Sequence, residues 1–160
     1  MVNETLGVDG VVLRRAERAD LPALIELLAA DQLGARRESV DDLTPYETAF
    51  AAIEADPAHL LMVAAAERRI VGTFQLSFLP GLARRGALRA QIEAVRVAGE
   101  WRGRGLGAAM MRWAIEEARR RGCATVQLTS DKSRLDAHRF YRRLGFVASH
   151  DGFKLVLRQN

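Results

Sequence analysis

From Ile92 the chain reads Ile-Glu-Ala-Val-Arg-Val, then a short turn, then glycines at positions 103, 105 and 107, and directly after them a helical pattern that runs to Arg121. An extended apolar run that feeds a glycine-rich turn and then a helix is a phosphate-binding device. Glycine lets backbone N–H groups approach a ligand without Cβ interference, and the helix N-terminus adds a partial positive charge. Arg102 and Arg104 flank the turn with full charges, and the planar guanidinium suits phosphate oxygens. The segment therefore predicts strand, anion-binding turn and helix, and implies a ligand that carries phosphates.

The glycines admit two readings. Gly103-x-Gly105-x-x-Ala108 satisfies the dinucleotide-binding pattern locally, and Asp131 follows the next strand at a fitting distance. That fingerprint opens a succession of βα units, however, and here about a hundred residues with the look of an antiparallel meander come first. Beyond the next strand only some thirty residues remain, too few for further parallel strands. A P-loop also fails, because Gly-Lys-Ser/Thr is absent.

The surrounding chain supplies the meander. Val11–Arg15 reads as a first strand, and Asp20 is placed to cap a helix with apolar positions Leu21, Leu24, Ile25 and Leu28. Residues 34–42 are polar and loop-like. Thr44, Pro45 and Glu47 spell a capping box for a second helix with Phe50 and Ile53 inward, which Asp56–Pro57 ends. Leu60–Ala66 and Ile70–Leu79, parted by a short charged break, predict a hairpin. Leu88–Val97 is the third long strand, with Leu88, Ala90, Ile92 and Ala94 alternating against Arg89, Gln91, Glu93 and Val95. In the helix after the glycines, Leu106, Met110, Trp113 and Ala114 face the core, Glu116 and Arg120 are spaced as an exposed pair, and Gly122 stops it. Ala124–Thr129 is then a buried strand parallel to the one ending at Val97. Asp136–Leu144 is a short helix ended by Gly145, and Phe146–Ser149 with Phe153–Leu157 read as a closing hairpin through Asp151–Gly152. The fold class is mixed α/β, and a length of 160 residues suits one domain over 1–160.

Composition narrows the function. No apolar stretch approaches the ~18 residues of a membrane span, and the first ten residues lack the basic and apolar regions of a leader, so the expected compartment is the cytoplasm. A lone cysteine, Cys123, excludes an internal disulfide and any cysteine-based zinc cluster, and with three scattered histidines no metal is expected. The net charge of +4 is carried almost wholly by arginine; Lys132 and Lys154 are the only lysines. Their scarcity, with few aromatics to expose, argues against nucleic acid as the partner. Arg119, Arg120 and Arg121 read as a solvated helix end that complements the dipole.

Read as Arg102-x-x-Gly105-x-Gly107, the turn resembles the pyrophosphate-binding motif of the GNAT superfamily of N-acetyltransferases. A second segment strengthens the likeness: Asp136-Ala-His-Arg-Phe-Tyr-Arg-Arg-Leu-Gly-Phe146 is similar to the late helix of that family, with its Ala-x-x-Phe-Tyr-x-x-x-Gly-Phe pattern. The order of elements agrees over nearly the whole chain. The resemblance implies a single acyl-CoA N-acyltransferase domain, with an antiparallel meander and a splayed parallel strand pair flanked by helices, and acetyl-CoA as cosubstrate. It places pantetheine along Val95, Arg96 and Val97, where a backbone amide polarises the thioester carbonyl. It also places the pyrophosphate on Arg102, Gly103, Arg104, Gly105, Leu106, Gly107 and Ala108.

Two catalytic roles follow from the resemblance. Tyr141 occupies the position of the family's general acid; a phenol of reference pKa ~10 keeps its proton at neutral pH and can give it to the departing thiolate. Glu93 resembles the strand glutamate of polyamine acetyltransferases. An alkylammonium has a reference pKa of ~10.4, so a carboxylate, directly or through water, must help remove its proton. Arg134 stands where many relatives carry an asparagine that contacts pantetheine, and Gly99 replaces a common proline. His138 reads as a helix residue satisfied locally. The acceptor is a small-molecule or protein amine, and Arg84, Arg85 and Arg89 hint that it is anionic. The chain could act alone or as a homodimer. An acetyl-CoA sensor without turnover is the alternative, which Tyr141 and Glu93 together disfavour.

Overall fold

The computed structural model describes residues 4–30, 34–36 and 38–157; Met1–Asn3, on which the leader reading partly rests, lie outside them. The chain packs as two compact units, Met1–Gln127 and Leu128–Asn160.

The sheet takes its strands in chain order: β1 (Glu4–Thr5), β2 (Val11–Arg15), β3 (His59–Ala66), β4 (Arg69–Leu79), β5 (Arg89–Val97) and β6 (Thr125–Leu128). β1 to β5 are antiparallel throughout. β6 lies beside β5. The Ala124 N–H donates to the Leu88 carbonyl at 2.8 Å, and the Gln127 amide donates to Gln91 Oε1 at 2.8 Å. Both contacts span 36 positions, so the two strands advance together and are parallel, as a helix crossover requires. The expected mixed α/β class is observed, and from Val11 to Leu128 so is the expected succession of strands, with one addition before it: the two-residue β1, too short to show a period.

Helices cover both faces of the sheet. On one, Leu21 and Leu24 of α1 (Leu21–Ala29) and Phe50 of α2 (Thr44–Ala55) pack on Val63. On the other lies α3 (Leu106–Arg120), whose Met110, Met111 and Ala114 are fully buried. A strand covered on both faces reads as a continuous apolar run, which explains β4. Glycine at position 72 makes room for Met110. A Cβ there would lie 2.7 Å from Met110 Sδ and 3.3 Å from the Arg96 carbonyl, so its absence lets α3 settle onto β4. The β3–β4 hairpin turns through Glu67 and Arg68 at φ 46° and 69°, the left-handed pair that a two-residue connection demands.

Several local expectations are corrected. Asp20 does not cap α1. Its carboxylate takes a forked pair of bonds from Arg14 at 2.6 and 2.8 Å and a third from the Glu17 N–H, because an arginine fork outcompetes a lone amide. Thr44 is the first helical residue of α2 and not its cap, so no capping box forms; Asp42 Oδ1 accepts the Thr44 N–H instead. Leu27 is buried in α1 in place of Leu28. Glu116 pairs with Arg119, while Arg120 and Arg121 both turn to the buried Glu117. Burial pushes the Glu117 carboxyl up, but its bonds to Arg120 and Arg121, with their charge, outweigh this and leave it below its ordinary value. Arg121 also lies 4.0 Å over the Phe78 ring, so that end of α3 is docked and not merely solvated. β6 is half-buried.

In the second unit α4 (Leu135–Arg143) ends where Gly145 turns at φ 90°. The closing hairpin is not observed: residues 146–157 form no strand, and Phe153 is 96% exposed. Alternating apolar residues supply a face, but a lone pair of strands with nothing to bury that face on is marginal in water.

Candidate functional site

β4 and β5 keep step from Leu79 opposite Arg89 to Gln75 opposite Glu93, and then lose it, for the next pair is Thr73 opposite Arg96. β5 advances three residues while β4 advances two, so one residue is extra. Ala94 takes φ 54°, the left-handed region, which costs an L residue about 1–2 kcal/mol. This is a bulge. It overturns the expectation that Ala94 shares the face of Ala90 and Ile92: those two are buried and Ala94 is exposed. The insertion has chemical consequences. Glu93 and Arg96 come to lie on one face although they are three positions apart, and the peptide groups around Ala94 and Val95 leave the ladder. Amides released in this way are the donors that a developing oxyanion needs.

Beyond β5 a 3₁₀ turn, Gly99–Trp101, leads into the glycines. Arg102 Nε donates to the Val97 carbonyl at 3.1 Å and ties the loop to the strand end. Gly103 and Gly105 sit at φ 74° and 83°, and a Cβ on either would meet nothing within 4 Å. The backbone demands glycine there, and the space before it is open. Gly105 is the N-cap of α3 and no side chain caps the helix. The first intrahelical bond runs from the Ala109 N–H to the Gly105 carbonyl at 3.0 Å, which leaves the N–H groups of Leu106, Gly107 and Ala108 to an outside acceptor. Gly107 lies within the first helical turn and not in the loop. Arg104 stacks over Trp101 at 5.1 Å, a cation–π contact that holds its charge beside the helix end. Three free donors, a helix dipole and two exposed guanidiniums fit a pyrophosphate. Trp101 was not singled out from sequence; an aromatic three residues before Arg104 was the available signal.

The late-helix motif gains a physical sense in the second unit. Gly145 turns the chain back so that the N–H groups of Leu144 and Phe146 both reach the Tyr141 carbonyl, at 3.0 and 3.1 Å. The Tyr141 ring is then held edge-on between Phe140 and Phe146, with centroids 5.2 and 5.9 Å away. Arg134 is the N-cap of α4, half-buried, its N–H on the Asp131 carbonyl at 3.0 Å. The Asp131 carboxylate accepts from the Ser133 N–H and hydroxyl at 2.9 and 2.6 Å. The oxygen that the dinucleotide reading assigns to a ribose thus closes a local turn. His138 Nε2 lies 2.9 Å from the Asp131 carbonyl, satisfied locally as expected.

An antiparallel meander, a bulged strand feeding an uncapped helix N-terminus and a parallel strand after that helix define the acyl-CoA N-acyltransferase class of folds. Comparison with known proteins agrees. The acetyltransferase (GNAT) family matches residues 21–146, a span that runs through both units. The chain is 32% identical over 116 residues to the aminoalkylphosphonate N-acetyltransferase of Salmonella typhimurium, covering 72% of this chain and 75% of that one. It is 38% identical over 89 residues to the glucosamine 6-phosphate N-acetyltransferase of Trypanosoma brucei brucei, covering 56% and 58%. A crystal structure described as a transcriptional regulator from Bacillus halodurans superposes with a TM-score of 0.89 at 44% identity, over 92% of this chain and 99% of that one. The chain belongs to the GNAT family of acetyltransferases, and its enzyme class is that of the N-acetyltransferases. Among the described residues no helix is long and apolar enough to cross a membrane.

Proposed function

We propose that this chain is one catalytic domain that transfers the acetyl group of acetyl-CoA to the primary amine of a small acceptor bearing a phosphate or phosphonate. The observation that carries the cosubstrate assignment is the uncapped N-terminus of α3, with open space before Gly103 and Gly105 and with Arg102 and Arg104 beside it. The acceptor class is supported by the two N-acetyltransferase relatives, whose substrates each join an amine to a phosphorus oxyanion.

The chain's own groups take the following roles. Leu106, Gly107 and Ala108 donate backbone N–H groups to the pyrophosphate. The peptide groups of Val95 and Val97 pair with pantetheine, and one of their amides faces the carbonyl oxygen of the thioester. Glu93, exposed on the face opposite Ile92, accepts the proton that the acceptor's ammonium must lose, directly or through water. As the amine nitrogen bonds to the acetyl carbon the C–S bond breaks, the Tyr141 hydroxyl gives its proton to the sulfur, and the second proton that the new amide nitrogen sheds passes through water to restore the Tyr141 phenol. Tyr141 is assigned on the Phe-Tyr-x-x-x-Gly-Phe motif and its fixed ring.

The test is a screen of amines with acetyl-CoA, read by thiol release. Release is expected with short phosphorylated or phosphonylated amines. Tight CoA binding with no release from any amine would refute turnover and favour a sensor.

A further inference from the structure

β5 carries Arg89, Glu93 and, past the bulge, Arg96 on one face. Arg89, Gln91 and Glu93 are successive same-side positions before the bulge, opposite Leu79, Ser77 and Gln75 of β4. The intervening Ala90 and Ile92 are buried on the other side. Most polar neighbours on this face are satisfied within the protein. Gln91 accepts from Gln127 at 2.8 Å, Ser77 Oγ lies 2.8 Å from His59 Nδ1, and Thr73 donates to the Met62 carbonyl at 2.8 Å. Arg89 and Glu93, by contrast, have no hydrogen-bond or ion-pair partner among the described residues. Arg89 is half-buried. A guanidinium partly withdrawn from water without a counter-charge is unusual, because such groups are ordinarily paired.

Strand geometry keeps the two apart. Four residues at 3.2–3.4 Å rise place their Cα atoms about 13 Å from each other. Both side chains rise from the same face, one on either side of Gln91, so a molecule lying along the strand can meet one at each end. A zwitterion with an amine at one end and an oxyanion at the other complements this pair in sign and order.

Resting on the acetyl-transfer reading, we infer that Arg89 holds the anionic end of the acceptor while Glu93 receives its amine, so that Arg89 sets acceptor specificity. The guanidinium fork takes two phosphorus-bound oxygens at once, and the pleat between Arg89 and Glu93 fixes how far the amine stands from them. Amines with a longer spacer overshoot Glu93, and amines without an oxyanion lose their anchor.

The experiment measures kcat/KM of the full chain for 2-aminoethylphosphonate and for propylamine at saturating acetyl-CoA, in wild type, Arg89→Ala, Arg89→Lys and Arg89→Gln. The wild type should prefer the phosphonate. Arg89→Ala should lower that preference about ten- to a hundredfold, mainly through KM, as loss of a charge-assisted pair does. Arg89→Lys should keep part of it, because a point charge remains. Should the alanine variant fail to fold, Arg89→Gln tests the same loss of charge. A preference unchanged in a folded Arg89→Ala or Arg89→Gln, or a wild type that favours propylamine, overturns the inference while acetyl transfer stands. Thiol release that neither amine raises above the amine-free background overturns both.

Discussion

Both ends of α3 turn on a glycine in the left-handed region, and this makes a matched pair of perturbations. Gly105 at φ 83° precedes the helix and Gly122 at φ 75° follows it. A Cβ on either would meet nothing within 4 Å, so neither substitution clashes with the protein. At Gly122 the turn is closed by the Gly122 N–H on the Arg119 carbonyl and the Cys123 N–H on the Ala118 carbonyl, both at 2.9 Å, the Schellman arrangement. Gly105→Ala and Gly122→Ala should therefore cost alike, about 1 kcal/mol each from the backbone alone, or roughly 2–4 °C in Tm for a chain of this size. Ligand affinity should separate them. The methyl group of Gly105→Ala stands before the three uncapped N–H groups, the proposed seat of the CoA pyrophosphate, and should raise the Kd for CoA at least tenfold, about 1.4 kcal/mol. Gly122→Ala should leave that Kd unchanged. Thermal melting followed by calorimetry with CoA reads both quantities on the same samples. Equal Kd values in two equally destabilised variants would refute the pyrophosphate assignment.

Tyr141→Phe removes only the phenolic proton and keeps the ring between Phe140 and Phe146. CoA affinity should hold while kcat falls at least tenfold, since general acids contribute about 10²–10⁴; wild-type turnover would make the residue structural. Glu93→Gln should depress kcat/KM most at low pH, where free amine is scarce, and recover in part at high pH. A uniform fall across pH would mark Glu93 as a positioning group. The third expectation concerns acid stability. Burial pushes Asp20 up, but the Arg14 fork and the Glu17 N–H bring it below its ordinary 3.8, and Glu117 likewise lies below 4.5. Their contributions are complete above those ordinary values and are lost as pH falls through the depressed folded ones. Asp20→Asn and Glu117→Gln should each cost about 1–3 kcal/mol in urea at neutral pH and progressively less in acid.

The parts of the fold legible in the sequence were those with an apolar pattern of their own. β3 and β4 stand out as apolar runs parted by charges, α3 as an apolar stripe at helical spacing, and the glycine turn because glycine is the residue best suited to the φ values at Gly103 and Gly105. Choices between competing polar partners were not legible. Asp20 has cap chemistry and Thr44 sits in a capping-box pattern, yet the Arg14 fork and Asp42 decided where the hydrogen bonds went. Those partners are fixed by strand register and loop path, which no local window contains. The bulge was the costliest omission. Alternation through Ala90, Ile92 and Ala94 reads as an unbroken strand, and alanine gives no hint of positive φ. Only the register against β4 reveals the extra residue. Up to Glu93 the alternation in the sequence matches the observed faces, because the slip comes just after it. Beyond the slip, Arg96 shares the face of Glu93, and the peptides between them are released from pairing. An unbroken β5 would have turned Arg96 to the other side and bonded those amides into the ladder, where no thioester oxygen could use them. The left-handed strain at Ala94 thus sits between Glu93, the proposed base, and Val95, where the stretch proposed for pantetheine begins, and a local cost of about 1–2 kcal/mol there would have a functional return.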